Sequence, residues 1–113
     1  MITFNWDCTT VEVMLTEGNL NNVVYNVEWI LTGISDQLDA EGEPYTAFLD
    51  GEKRLDTSNI TEFIPFNDLT NAIVTQWVKD AMGPSQVSIL ESNIRNNIEA
   101  QINPVTATMK IQN

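Results

Sequence analysis

The stretch FIPFNDLTNAIVTQWVKDAMGPSQV, Phe63–Val87, decides the fold, because it marks where an extended chain turns into helices. Ile64 precedes Pro65, and the residue before a proline avoids the α region, so the extended half ends there. Asn67 or Thr70 can cap a helix, the latter with Asp68 close to the orphan amides of the first turn. Ile73, Val74, Trp77, Val78 and Ala81 then recur at helical spacing as one apolar stripe. Gly83 stands where a helix stops and Pro84 forbids continuation. A second helix starts at that point, with Ser85 as an alternative cap. Val87, Leu90, Ile94, Ile98 and Ile102 form its stripe, and Asn103-Pro104 ends it.

Upstream the period is two. Ile2, Phe4, Trp6 and Cys8 share one parity, and after Thr9-Thr10 the apolar parity flips to Val11, Val13 and Leu15. A strict alternation cannot survive that slip, so a bulge or bend is expected near Thr9. Residues 17–22, EGNLNN, read as a turn from their Gly and Asn content. A second strand over residues 23–33 places Val23, Tyr25, Val27, Trp29 and Leu31 on one face. An acidic connection, residues 34–44, leads to a third strand over 45–56, in which Asp50-Gly51 can make a tight turn. Residues 57–63 read equally as a short strand or a loop. Downstream of the helices, residues 105–111, VTATMKI, alternate again and are expected to close the chain as a strand.

Three strands, two helices and one strand imply an α+β fold: a mainly antiparallel sheet of about four strands with a two-helix hairpin on one face, in the order β-β-β-α-α-β. With 113 residues and no linker, repeat or low-complexity tract, residues 1–113 are expected to form one domain. The 42% hydrophobic fraction supports a packed core rather than disorder. No apolar run approaches the roughly 20 residues of a membrane helix. The first ten residues lack the basic and apolar regions of a signal peptide, so the chain is expected to be made and folded in a cytoplasm.

Composition removes several chemistries. There is no histidine, hence no imidazole base, ligand or triad. Cys8 is alone, hence no intrachain disulfide and no cysteine zinc site; it reads as a buried structural thiol. The five glycines are isolated turn markers, not a phosphate loop. An EF-hand with Gly42 at its sixth position would begin at Gln37 and end at Phe48, where carboxylates are required, so that motif fails. No cofactor is expected. A carboxylate pair among the sixteen acids stays open as an enzymatic route, and nothing in the sequence singles out such a pair.

Charge is uneven. Residues 1–66 hold twelve acids against two bases, and the first 52 residues contain no Lys or Arg. Binding directly to a phosphate backbone would need a basic footprint, so nucleic acid is disfavoured as a partner. Partner-binding candidates are the acidic connection, Asp36, Asp39, Glu41 and Glu43, and Trp6, whose strand can lie at a sheet edge and pair with a second copy. For all three tryptophans, Trp6, Trp29 and Trp77, positions on inward-reading stripes favour core packing over an interface role.

The stretch 63–83 together with 97–111 resembles an uncharacterised family of small proteins encoded by tailed bacteriophages, including those of marine cyanobacteria. The shared pattern is an aromatic first strand (Phe4, Asn5, Trp6), a Pro-aromatic-x-x-Leu-Thr helix entry (Pro65, Phe66, Leu69, Thr70), Trp77-Val78 and the ending Asn103, Pro104, Val105. The resemblance is weakest over residues 33–62 and carries no functional residues. It implies a phage origin and a non-enzymatic accessory or virion structural role, as a capsid decoration or tail component. The acid-rich first half supports the alternative, an acidic effector that binds a basic host-protein surface or mimics DNA.

Overall fold

A computed structural model of the chain describes residues 1–58, 60, 63–104 and 107–112. Three strands, β1 (Ile2–Glu17), β2 (Leu20–Leu38) and β3 (Pro44–Arg54), form an antiparallel sheet in the order β1-β2-β3. Two helices follow, α1 (Asn71–Met82) and α2 (Pro84–Ile102). The architecture is α+β.

The expected slip near Thr9 is present. Pairing shifts by one residue between Asp7 and Thr10, and a second shift between Glu12 and Val13, opposite Tyr25, restores the original register. One extra residue in each strand leaves the hairpin closed in step, with Glu17 opposite Leu20 around Gly18-Asn19. At the first bulge Asp7 Oδ1 accepts hydrogen bonds from the Thr9 N–H (3.1 Å) and hydroxyl (2.6 Å).

The bulge is also tied to the helices. Asn71, the first residue of α1, accepts at Oδ1 from the Cys8 N–H (2.8 Å) and donates from Nδ2 to the Trp6 carbonyl (2.9 Å). A side-chain amide that bonds the C=O of one strand residue and the N–H two further on imitates a neighbouring strand. Asn71 therefore covers part of the outer edge of β1, which a bare edge strand would expose.

Thr70 caps α1, its hydroxyl accepting from the Ile73 N–H at 3.2 Å, while Asn67 lies in a short 3₁₀ turn, Phe66–Asp68. Gly83 joins the helices at φ 86° and ψ 159°, a conformation essentially reserved for glycine, and Pro84 opens α2. Ser85 is not the cap. Both helices lie on one face of the sheet. Val74, Val78, Leu90, Ile94 and Ile98 pack there against Trp6, Cys8, Val27, Trp29 and Leu31. Gly33 permits the approach: a Cβ on it would run into the side chain of Ile94.

Several boundaries differ from the sequence reading. β2 begins at Leu20 and continues to Leu38, so the acidic connection shrinks to the turn after it. Asp50-Gly51 is not a turn; it lies inside β3, opposite Ile30 and Trp29. Gly51 is needed there because the Trp29 indole lies across it, 2.7 Å from where a Cβ would stand. In the 57–63 segment Asn59, Thr61 and Glu62 lie outside the described residues, and the others form no strand. Of the expected closing strand, Val105 and Thr106 lie outside the described residues, and residues 107–112 have no regular structure. Their alternation meets no sheet edge within the chain, and Met109 and Ile111 stand exposed.

Strands of 16 and 19 residues make the molecule long, 67 × 34 × 25 Å. Its radius of gyration is 18.8 Å, against about 13 Å for a compact domain of this length.

Candidate functional site

The helices cover one face of the sheet; the other is open. Strand register lays out that open face as five rows, each read from β1 through β2 to β3: Thr3-Ile34-Thr46, Asn5-Thr32-Phe48, Asp7-Ile30-Asp50, Thr10-Glu28-Glu52 and Glu12-Asn26-Arg54. The face divides in two. One end is apolar and uncharged, with Ile34 40% and Phe48 64% exposed among threonines. Ile30, 43% exposed, forms the boundary. Beyond it the carboxylates of Asp7, Glu28, Asp50 and Glu52 rim a shallow dish of about 380 Å³.

The acidic end is held in shape by an amide. Asn26 Nδ2 donates to Glu12 Oε1 (2.9 Å) and Glu52 Oε1 (3.1 Å), and the Tyr25 hydroxyl donates to Glu12 Oε2 (3.2 Å). No lysine or arginine neutralises these acids by direct pairing. Among the described residues the one ion pair joins the Met1 amino group to Asp36 (2.9 Å). Three of the five basic side chains instead sit over aromatic rings: Arg54 over Tyr25 (5.2 Å), Lys79 over Trp6 (5.6 Å) and Arg95 over Phe4 (5.0 Å). The formal charge of −11 is thus carried largely uncompensated at the surface.

A second concavity of about 420 Å³ lies between β2, the β3–α1 connection and α1. Val23, Val24, Leu55, Phe63, Leu69 and Trp77 line it, with Asp56 and Asp80 at its wall. Asp56 accepts from the Ser58 hydroxyl (2.6 Å) and N–H (2.9 Å), which hold its carboxyl below the usual carboxylate range. That shift keeps Asp56 ionised and is opposite to what a general acid needs. Asp80 accepts from Gln76 Nε2 (2.8 Å).

The residues singled out from sequence do not converge. Trp6 is only 6% exposed and packs in the core against Trp29, with ring centroids 5.7 Å apart. Neither indole N–H has a hydrogen-bond partner among the described residues. Asp36 is engaged with the chain's own amino group, which lowers its pKa. Asp39 builds the β2–β3 turn: Oδ1 accepts from the N–H groups of Glu41 (2.9 Å) and Glu43 (3.0 Å). Glu41 and Glu43 are exposed on that turn. Among the described residues no group of three carboxylates or thiols is arranged to hold a metal ion. Burial pushes the Cys8 thiol pKa up. The open face was missed as a unit. Ile30 and Phe48 fall singly on the second faces of their expected strands and Ile34 falls in the expected acidic connection, and only the register aligns them.

Residues 1–110 match a family described as a domain of unknown function, DUF7936. The chain belongs to that family. DUF7936 thus spans the whole sheet, both helices and most of the exposed C-terminal segment. No curated protein and no solved structure matches the chain. Among the described residues no helix of this DUF7936 member is long and apolar enough to cross a membrane.

Proposed function

We propose that the protein is a non-enzymatic protein-binding module, an accessory or structural component of a tailed-phage particle, which docks through the open face of its sheet. The observation that carries this reading is the uncovered apolar end of that face, Ile34 and Phe48 beside Ile30. A three-stranded sheet in an isolated globular domain normally has either a polar outer face or a second layer. Here one end of the outer face offers large apolar side chains. The elongated shape supports the same reading, since it presents more surface than one small core requires.

The acidic end favours a second reading, an effector that holds a basic host-protein surface. The carboxylates of Asp7, Glu28, Asp50 and Glu52 are unpaired by bases and would gain most from one. Salt separates the two readings. Purified protein is mixed with phage particles stripped of it and sedimented at low and at moderate ionic strength. Docking by the apolar end predicts co-sedimentation that survives salt and is lost with Phe48→Asp. Retention of the Phe48→Asp variant on the particles overturns docking by this face. Binding to a host protein that disappears at moderate salt, with none to particles, selects the effector reading.

A further inference from the structure

The C-terminal segment and the outer edge of β3 are complementary. Residues 107–112 are exposed in full, with Met109 at 86% and Ile111 at 88%, yet their sequence alternates as a strand does: Ala107, Met109 and Ile111 against Thr108 and Lys110. β3 is an edge strand. Its Thr46 carbonyl accepts from Gln101 Nε2 of α2 (2.9 Å), from outside the sheet. Backbone groups alternate sides along a strand, so those of Phe48, Asp50 and Glu52 also point away from β2. Pro44, with no N–H to offer, begins the same row. The other edge, on β1, is already spanned by Asn71 at Trp6 and Cys8.

We propose that the segment 107–112 adds as a fourth strand to the outer edge of β3 in a second copy of the chain. Both faces of the segment fit that edge. In an antiparallel register with Met109 beside Leu49 and Ile111 beside Ala47, both of which are half-buried, the apolar parity of the segment continues the helix side. In the same register Thr108 and Lys110 continue the open side opposite Asp50 and Phe48, which leaves Lys110 within diagonal reach of Asp50. A second copy is the better recipient on grounds of direction. The segment leaves α2 at the Thr46 end of β3, so along its own β3 it could run only parallel. A second copy offers the antiparallel direction that both existing junctions of this sheet use, and antiparallel pairs are the more stable per residue. This pairing is independent of docking by the open face, because it uses the edge and not the face.

The test is solution mass by light scattering across a wide concentration range. Three proteins are compared: the full chain, the full chain with Asp50→Pro, and the full chain with Met109→Asp and Ile111→Asp. Proline at position 50 removes an N–H that points outward, which leaves the β2–β3 ladder intact. Met109 and Ile111 are exposed in the single chain, so their replacement spares the fold. The full chain is expected at twice the monomer mass or more, and both variants at monomer mass with unchanged circular dichroism. A full chain that stays monomeric throughout overturns the proposal. So does an assembly that survives either variant, because strand addition requires both the segment and the edge.

Discussion

Replacing Asn71 with alanine isolates the contact that joins the two halves of the molecule. The side chain makes two hydrogen bonds to the backbone of the β1 bulge, at 2.8 and 2.9 Å. Each is worth about 1 kcal/mol net. Asn71 itself is exposed, but both bonds are part-buried, so the sum of the two is the least that their loss should cost. Alanine at a first-turn position is a good helix former, so α1 itself loses only the exposed hydrogen bond from the Thr75 hydroxyl to Asn71 Oδ1 (3.2 Å). The expected loss is therefore at least about 2 kcal/mol. Unfolding entropy of about 2.1 cal/mol/K per residue over 113 residues converts this to a fall in Tm of roughly 8 °C. Urea unfolding followed by tryptophan fluorescence reads it directly, because Trp6 and Trp29 pack together beside the bulge. Asn71→Asp serves as the control. It keeps an acceptor for the Cys8 N–H but sets a carboxylate against the Trp6 carbonyl, and it should cost at least as much. A loss below about 0.5 kcal/mol, the range of ordinary surface substitutions, for Asn71→Ala would refute the idea that this amide stands in for a strand.

Gly33→Ala forces a Cβ into Ile94 and towards Ile2 and Ile98. It should cost about 1–3 kcal/mol, read as a lower urea midpoint, because α2 must lift from the sheet. The Thr9 hydroxyl and then the Thr9 N–H depress the Asp7 pKa, so the folded state binds its proton less readily than the unfolded one. That contribution is full above the ordinary carboxylate value, about 3.9, and is lost as pH falls through the lower folded value. The stability gap between wild type and Asp7→Ala should hold constant above that value and narrow below it in a pH series of urea midpoints. Cys8, 1% exposed and with its pKa raised by burial, should resist a thiol reagent in the native protein. Labelling should appear across the same urea range as the fluorescence transition; rapid labelling without urea would contradict its place in the core.

Much of the framework is legible in the residues because it depends on local chemistry. The parity flip between Cys8 and Val11 announces the bulge, and Thr70, Gly83 and Pro84 bound the helices by capping and φ preferences that act within a few residues. What sequence reading lost depends on partners distant in the chain. Residues 34–38, with Ser35, Asp36 and Gln37, look like an acidic loop. They extend β2 because Ile2 and Thr3 arrive opposite Ser35 and Ile34. Asp50-Gly51 has turn chemistry, but Trp29 needs the space above Gly51. Asn71 was hidden because nothing in its neighbours says that an amide 63 residues from Cys8 will close on it. The acids expected to mark a partner site, Asp36 and Asp39, are used in a terminal ion pair and a turn. The open face emerges only once the register aligns Ile34 and Phe48 in neighbouring rows.

The proposed role is attachment to a phage particle. The measurement that tests it most directly is quantitative mass spectrometry of gradient-purified phage particles from infected cells that produce the chain, scaled to the major capsid protein. A fixed copy number per capsid protein that persists through salt washing is the predicted result. Its absence from clean particles, with the chain abundant in the infected-cell lysate, would contradict the account.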